Sequence, residues 1–265
     1  MNKINLQLEK IKRENRVGIM AHIVCGYPNL DESRKFIKLM ADCGVDFIEL
    51  QIPFSDPMAD GPTIMQANQS ALNNGIKVKD CFDLMKKMSR EVEIPLIFMG
   101  YYNTVFNYGV EKFCENARKA GCSGLIFPDI PLEEENSEHF IKYVEENNLI
   151  LIRVLSPAST IERIKKNVKT ADGFLYFVGR KGTTGQKSAL DENLSANLKK
   201  IKKYFKIPIA VGFGISEKKH IQTLKGEAEI AVIGSAVLNT YNSAPKRQKF
   251  KTVKNFLINI TTMSS

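Results

Sequence analysis

Long apolar runs are missing from this chain of 265 residues. None reaches the roughly 18 residues that a membrane-crossing helix needs. The first ten residues mix charged and apolar side chains and lack the continuous apolar stretch of a secretory signal. Cysteine is sparse and unpaired in pattern, with five residues at positions 25, 43, 81, 114 and 122 and no Cys-x-x-Cys. That odd, scattered set predicts buried, reduced thiols and a cytoplasmic setting. The three histidines, His22, His139 and His220, have no metal-ligand spacing. No cysteine has a histidine partner for nucleophilic work, and no lysine stands out as a Schiff-base former. No Gly-x-Gly-x-x-Gly loop follows the first predicted strand, which argues against a dinucleotide-binding sheet.

What the chain does have is alternation. Short apolar runs rich in β-branched and aromatic residues are followed by longer stretches at helical period. The predicted strands are Gly18–Val24, Val45–Leu50, Ile94–Met99, Gly124–Phe127, Leu149–Val154, Phe174–Val178, Pro208–Val211 and Ile230–Ile233. Most are apolar throughout, as parallel strands covered on both faces should be. The predicted helices are Leu30–Cys43, Pro62–Asn73, Lys79–Arg90, Val110–Ala120, Leu132–Asn147, Ser159–Val168, Leu194–Tyr204, Glu217–Leu224 and Gln248–Ile260. Ser159 and Ser216 fall at N-cap positions, and Gly44, Gly75 and Gly121 at helix ends. Eight β/α units in one chain of this length predict a single (β/α)8 barrel domain over residues 1–265. An added helix follows the second strand, and an amphipathic segment, Ile4–Ile11, is placed to close the barrel bottom. An open doubly wound sheet is the rival architecture.

The net charge is +9, with basic runs at 199–203 and 246–249. Leu, Ile and Phe interleave with these lysines at helical spacing, so they read as solvated helix faces and not as a nucleic-acid surface. A positive field also favours approach of an anionic substrate. Glycine-rich loops follow the last three predicted strands: residues 179–185, 210–216 and 233–236. In a barrel this rim binds phosphate, because glycines let backbone N–H groups approach an anion. Gly185, Gly214, Gly234 and Ser235 are the candidates, with Gly234-Ser235 placed to open a helix whose N-terminus faces the anion. Turn geometry alone is the competing reading of each glycine.

Residues 47–63, FIELQIPFSDPMADGPT, carry two acids. Glu49 ends an apolar strand, where an unpartnered carboxylate is costly. Asp60 lies in a loop crowded with Pro and Gly and also suits a cap for the helix at Pro62. Paired carboxylates of this kind serve proton transfer. Asp56 reads as a turn residue and Asp129 as a brace between loops. Tyr101 and Tyr176 are placed to line a cleft above the barrel, and Thr183 or Thr184 to position an acid when its loop closes. His22 fits two readings, a pocket residue or a satisfied interior histidine.

These blocks resemble the tryptophan synthase alpha chain family. Alongside residues 47–63, the segments MGYYN (99–103), FPDIP (127–131), GTTG (182–185), VGFGIS (211–216) and IGSA (233–236) match in order, over roughly residues 15 to 240. The resemblance implies retro-aldol cleavage of indole-3-glycerol phosphate without a cofactor in this chain. Glu49 would be the acid–base group and Asp60 the partner of the indole N–H. Tyr101, Tyr176, Thr184 and Phe213 would contact substrate, and Gly185, Gly214, Gly234 and Ser235 the phosphate. It also implies a pyridoxal-phosphate beta chain as partner, in an α2β2 assembly, with Pro53 and Asp56 near that interface. Three positions depart from the family pattern: His22 where phenylalanine is frequent, Gln51 where glycine is usual, and Gly179 where serine is usual. Another phosphosugar barrel enzyme, an isomerase or synthase, and a catalytically weakened regulatory subunit are the alternatives.

Overall fold

A computed structural model describes residues 1–130, 138–178, 193–212 and 214–262. Its strands are β1 (Gly18–Val24), β2 (Phe47–Gln51), β3 (Leu96–Met99), β4 (Gly124–Ile126), β5 (Ile150–Ile152), β6 (Val154–Leu155), β7 (Leu175–Val178), β8 (Ile209–Gly212) and β9 (Ile230–Ile233). Every pairing among them is parallel. The order β5-β4-β3-β2-β1-β9-β8-β7-β6 has β5 and β6 at its two ends. Only Arg153 separates those two in sequence. They are halves of one strand that pairs with β4 first and β7 second, so the sheet curls into a (β/α)8 barrel. The fifth predicted strand is thus split at Arg153, whose carbonyl accepts from Tyr176 N at 2.8 Å and whose guanidinium donates to Thr170 Oγ1. A strand tilted in a closed barrel hands its hydrogen bonds from one neighbour to the other along its length.

Around the barrel lie α2 (Leu30–Asp42), α3 (Pro62–Asn73), α4 (Val78–Glu91), α5 (Tyr102–Tyr108), α6 (Val110–Lys119), α7 (Phe140–Glu146), α8 (Ile161–Val168), α9 (Leu194–Lys202), α10 (Lys218–Leu224), α11 (Ser235–Ser243) and α12 (Lys249–Thr261). Both α3 and α4 follow β2, which supplies the added helix. Alternate residues along each strand face opposite sides, and two apolar clusters result. Outward residues such as Ile48, Phe98 and Val211 pack against helix residues Phe36, Met85 and Phe113. Inward residues Met20, Phe47, Ile97, Ile152, Phe174 and Val232 fill the barrel. Among the described residues no helix is long and apolar enough to cross a membrane, and all five cysteines are buried and free.

The amino-terminal helix α1 (Lys3–Arg13) closes the bottom, as its amphipathic pattern predicts. Its buried Ile4 and Ile11 join the interior cluster. Strand glycines make room for them: a Cβ on Gly18 would lie 2.4 Å from Ile11 Cδ1, and one on Gly124 2.7 Å from Ile4 Cδ1. Buried Asp46 anchors the same end. It accepts from Arg16 Nη1 and Nη2 at 2.7 and 2.6 Å, from Gln7 Nε2 at 2.6 Å and from Ile19 N at 2.8 Å.

Several helix boundaries differ from the sequence reading. The helix predicted at Leu132–Asn147 is described only as α7, since residues 131–137 lie outside the described set. The cap of α8 is Thr160, which accepts from Arg163 N, while Ser159 Oγ accepts from Ser156 N and closes the preceding turn. Helix α10 begins at Lys218 with Glu217, not Ser216, as its N-cap, and Ser216 N donates to His220 Nδ1 at 3.2 Å. Helix α5 was not predicted. Its N-terminus is capped from the next β/α unit, where Asp129 accepts from Tyr102 N at 2.9 and 3.1 Å, so no local cap marks it. Asp129 thereby braces two loops, as predicted. Gly44, Gly75 and Gly121 all take positive φ beyond helix ends.

Arg16→Ala would leave a buried carboxylate without its cation, at an expected cost of about 3–5 kcal/mol. Urea unfolding at neutral pH measures this, and an unchanged midpoint would show that the Asp46 cluster does not hold the barrel bottom.

Candidate active site

The opposite rim of the barrel is polar. Strand β2 turns Phe47, Glu49 and Gln51 to one face by its period of two. Phe47 lies in the interior cluster, so Glu49 and Gln51 stand above it in the barrel mouth. In the parallel register of β1 and β2, His22 is the Cα partner of Glu49. Their side chains meet, with His22 Nδ1 at 3.3 Å from Glu49 Oε1. His22, Glu49, Gln51 and Asp60 are all less than 5% exposed.

Asp60 reaches this cluster through a tied loop. Ile52 N donates to Met99 O at 2.8 Å, Phe54 N to Asn68 Oδ1 at 3.0 Å and Ala59 N to Tyr101 Oη at 2.9 Å. The Phe54 and Tyr101 rings stack at 5.0 Å. The loop delivers Asp60 Oδ2 to Gln51 Nε2 at 2.6 Å and to the Tyr101 hydroxyl at 3.2 Å. The capping alternative for Asp60 is therefore corrected: helix α3 starts at Pro62 with Gly61 as its N-cap and no side-chain cap. Pro62 has no N–H in the first turn and so needs no acceptor there, and the Asp60 carboxylate is turned to the site instead. Asp56 is exposed just before the Met58–Ala59 turn; its carbonyl accepts from Met58 N at 2.8 Å and its carboxylate from Ser55 Oγ at 2.5 Å.

The charges in this mouth are mutually adjusted. Burial pushes Asp60 upward from its ordinary value, partly offset by its bond to Gln51, the His22 charge and the bond to Tyr101. For His22, burial opposes the charged form, but the Glu49 charge and hydrogen bond, with Asp60 and Gln51 behind them, outweigh it and raise the pKa. Burial, then the Glu49 and Asp60 charges, hold the Tyr176 phenol well above its ordinary range, so it stays a neutral donor. Tyr176 packs at the top of the interior cluster. A Cβ on Gly212 would lie 2.6 Å from the Tyr176 hydroxyl, so glycine on β8 is what lets that ring lie across the mouth.

Of the candidate anion positions, Gly234 lies at this rim. Gly234 follows β9 and is the N-cap of α11, whose first N–H groups lack intrahelical acceptors by helix geometry. A Cβ on Gly234 would lie 3.9 Å from His22 Cβ, placing that helix start beside His22. Thr63 Oγ1 donates to Asn239 Oδ1 at 2.9 Å and joins α3 to α11. Gly214 is exposed with φ of +79°. Thr183, Thr184, Gly185, Gly179, Arg180, Lys181 and Phe213 lie outside the described residues. His139 is exposed and His220 is half-buried. Among the described residues no group of three or more His, Cys, Asp or Glu is placed to hold a metal.

The structure thus gathers Glu49, Asp60, His22, Tyr101, Tyr176 and Gly234 around one opening. The sequence reading does not include Asn68, and it names Gln51 only as a departure from the family pattern. Gln51 was accessible in principle, since it follows Glu49 by one strand period. Asn68 was not, because it holds the loop from a helix face.

A family model described as Tryptophan synthase alpha chain matches residues 8–264. The chain is 46% identical over 237 residues to a tryptophan synthase alpha chain of Desulfotalea psychrophila, covering 88% of this chain and 92% of that one. It is 39% identical over 248 residues to a tryptophan synthase of Saccharomyces cerevisiae, covering 93% of this chain and 35% of that protein. The crystal structure of tryptophan synthase subunit alpha from Legionella pneumophila superposes with a TM-score of 0.89 at 29% identity, covering 99% and 98% of the two chains.

Because the folded site raises Asp60 above its ordinary 3.8, its ionised form costs stability above that value. The cost disappears once Asp60 is protonated in both folded and unfolded chains. Asp60→Asn keeps an acceptor for Gln51 and Tyr101 and is expected to be more stable than wild type at pH 7. The advantage should vanish as pH falls below 3.8. Thermal unfolding across pH measures it, and a variant less stable at every pH would overturn this account.

Proposed function

The chain belongs to the tryptophan synthase alpha chain family, and from that premise we propose that it is a lyase cleaving indole-3-glycerol phosphate to indole and glyceraldehyde 3-phosphate. The observation that carries this reading is the pair of buried acids on one barrel rim, Glu49 from β2 and Asp60 from a loop tied to Gln51 and Tyr101. A bond between an aromatic carbon and a carbinol carbon breaks when the ring carbon is protonated and the hydroxyl loses its proton. One acid that does both in turn, with a second to stabilise the ring cation, needs no metal and no organic cofactor.

In this reading Glu49 protonates indole C3, which makes the ring an electron sink. Asp60 accepts the indole N–H and stabilises the positive charge that develops on the ring nitrogen. Glu49, now ionised, takes the proton of the adjacent glycerol hydroxyl. The C–C bonding pair returns to the ring, and indole and the aldehyde separate. Tyr176 lies across the mouth as a neutral donor, with Tyr101 holding Asp60 and the loop. His22, Thr184 and Phe213 complete the substrate surface. Gly185, Gly214, Gly234 and Ser235 bind the phosphate, the last two at the N-terminus of α11.

The proposed partner is a tryptophan synthase beta chain that carries pyridoxal phosphate and receives the indole, in an α2β2 assembly. The loop between Pro53 and Asp60 supplies part of the contact surface, where Asp56 is exposed and Met58 is 85% exposed. Pro53 itself is buried, so its part in that contact is to set the path of the loop.

Indole release from indole-3-glycerol phosphate, with and without a beta chain, tests the reading. Release is expected from the isolated chain and is expected to rise when the beta chain is added. Glu49→Gln should lower turnover by roughly 10²–10⁴-fold, the span of positioned acid–base groups. Its affinity for a substrate analogue lacking the glycerol hydroxyls should remain near wild type. Wild-type turnover in that variant would remove Glu49 from the chemistry.

A further inference from the structure

The β1–β2 register sets an imidazole directly beside the proposed acid. His22 Nδ1 is 3.3 Å from Glu49 Oε1, and both side chains are almost wholly shielded from water. The other atom of each group, His22 Nε2 and Glu49 Oε2, is buried without a hydrogen-bond partner, as is Gln51 Oε1. Buried polar atoms are ordinarily paired, and these three unpaired atoms lie on adjacent residues of one barrel mouth. A buried carboxylate with a single contact is poorly stabilised unless that contact carries the opposite charge. An imidazole is the side chain able to supply that charge and withdraw it near neutral pH.

We propose that His22 and Glu49 act as one proton-holding unit, in which the imidazole stores the proton that Glu49 delivers to indole C3. The proposal rests on the lyase reading above and makes His22 a positioning residue that acts through Glu49. In the resting site the pair is imidazolium and carboxylate. The proton moves from Nδ1 to Oε1, and Glu49 passes it to C3. The glycerol hydroxyl proton then goes to the Glu49 carboxylate as the C–C bond breaks, and from there to Nδ1. The hydroxyl proton replaces the one given to C3, so the unit ends as it began, with no oxidant, reductant or further acid required.

The groups that bear on His22 are few. Glu49 and Gln51 face it from β2, Asp60 approaches from the loop after β2, and Gly234 adjoins it from the end of β9. Tyr176 on β7 is held neutral beside the same two acids. Both carboxylates favour the charged imidazole, and among the described residues no cation is among the groups that shift it.

Two measurements test the proposal, one of them independent of turnover. With only three histidines in the chain, the His22 imidazole can be followed by NMR after substituting His139 and His220 in turn. In wild type it should titrate above its ordinary 6.5. In Glu49→Gln it should titrate lower than in wild type, since only Asp60 and Gln51 then oppose the effect of burial. In steady-state assays of the complex with a beta chain, His22→Phe should lower kcat roughly 10²-fold, the lower end of what a positioned proton donor supplies. KM should change less than kcat, since His22 also borders the substrate. The wild-type fall in kcat at alkaline pH, as the imidazolium deprotonates, should be absent from that variant. His22→Gln, polar but without a titrating proton, should share its flat alkaline profile. Wild-type kcat and an unaltered pH profile in both variants would overturn the proposal, as would a His22 titration insensitive to Glu49→Gln. If wild type releases no indole, the lyase reading falls instead, and the titration alone decides whether the pair holds a shared proton.

Discussion

A parallel sheet has two unsatisfied edges unless it closes, and in this chain the edges meet at Arg153. The strand from Ile150 to Leu155 gives its first half to β4 and its second to β7. That hand-over fixes the stagger of the barrel and therefore which residues of each strand reach the top of the interior. Glu49 lies in the mouth, and Phe47 below it, because the register around the ring sets that level. A slip of one residue on β2 would turn Glu49 and Gln51 to the helices and Ile48 and Leu50 to the interior.

The two ends of the barrel solve opposite problems. At the bottom, α1 inserts Ile4 and Ile11 among strand glycines, and the buried Asp46 accepts four hydrogen bonds. The buried Asp46 charge is paired with Arg16 and fully hydrogen-bonded, which is what a supporting end requires. At the top, His22 Nε2, Glu49 Oε2 and Gln51 Oε1 are buried and unpaired. Such atoms cost stability. Their concentration at one rim, beside the start of α11, fits a site whose missing hydrogen bonds are made by substrate.

The architecture was legible because it is written in local period. Apolar runs that bury both faces mark parallel strands, and their alternation with helical stretches has few solutions other than a barrel. Pro62 opened α3 and Gly44, Gly75 and Gly121 ended helices where local chemistry alone requires it. Boundaries failed where a partner came from elsewhere in the chain. Helix α5 is capped by Asp129, 27 residues away from Tyr102, and no reading of residues 101–108 contains that information.

The same division holds for the site. The chain alone dictates the residue types and their order: an acid ending the second strand, a second acid in a Pro-rich loop, and glycines after the last strands. It also determined the family, through blocks specific enough to be matched in order. Only the tertiary structure decided that Asp60 turns to Gln51 and Tyr101 and does not cap α3, and that His22 faces Glu49 and is not a satisfied interior residue. The reason is physical. Periodicity tells which face of a strand a residue takes, but contact between two strands depends on register, and register is set by closure of the whole ring.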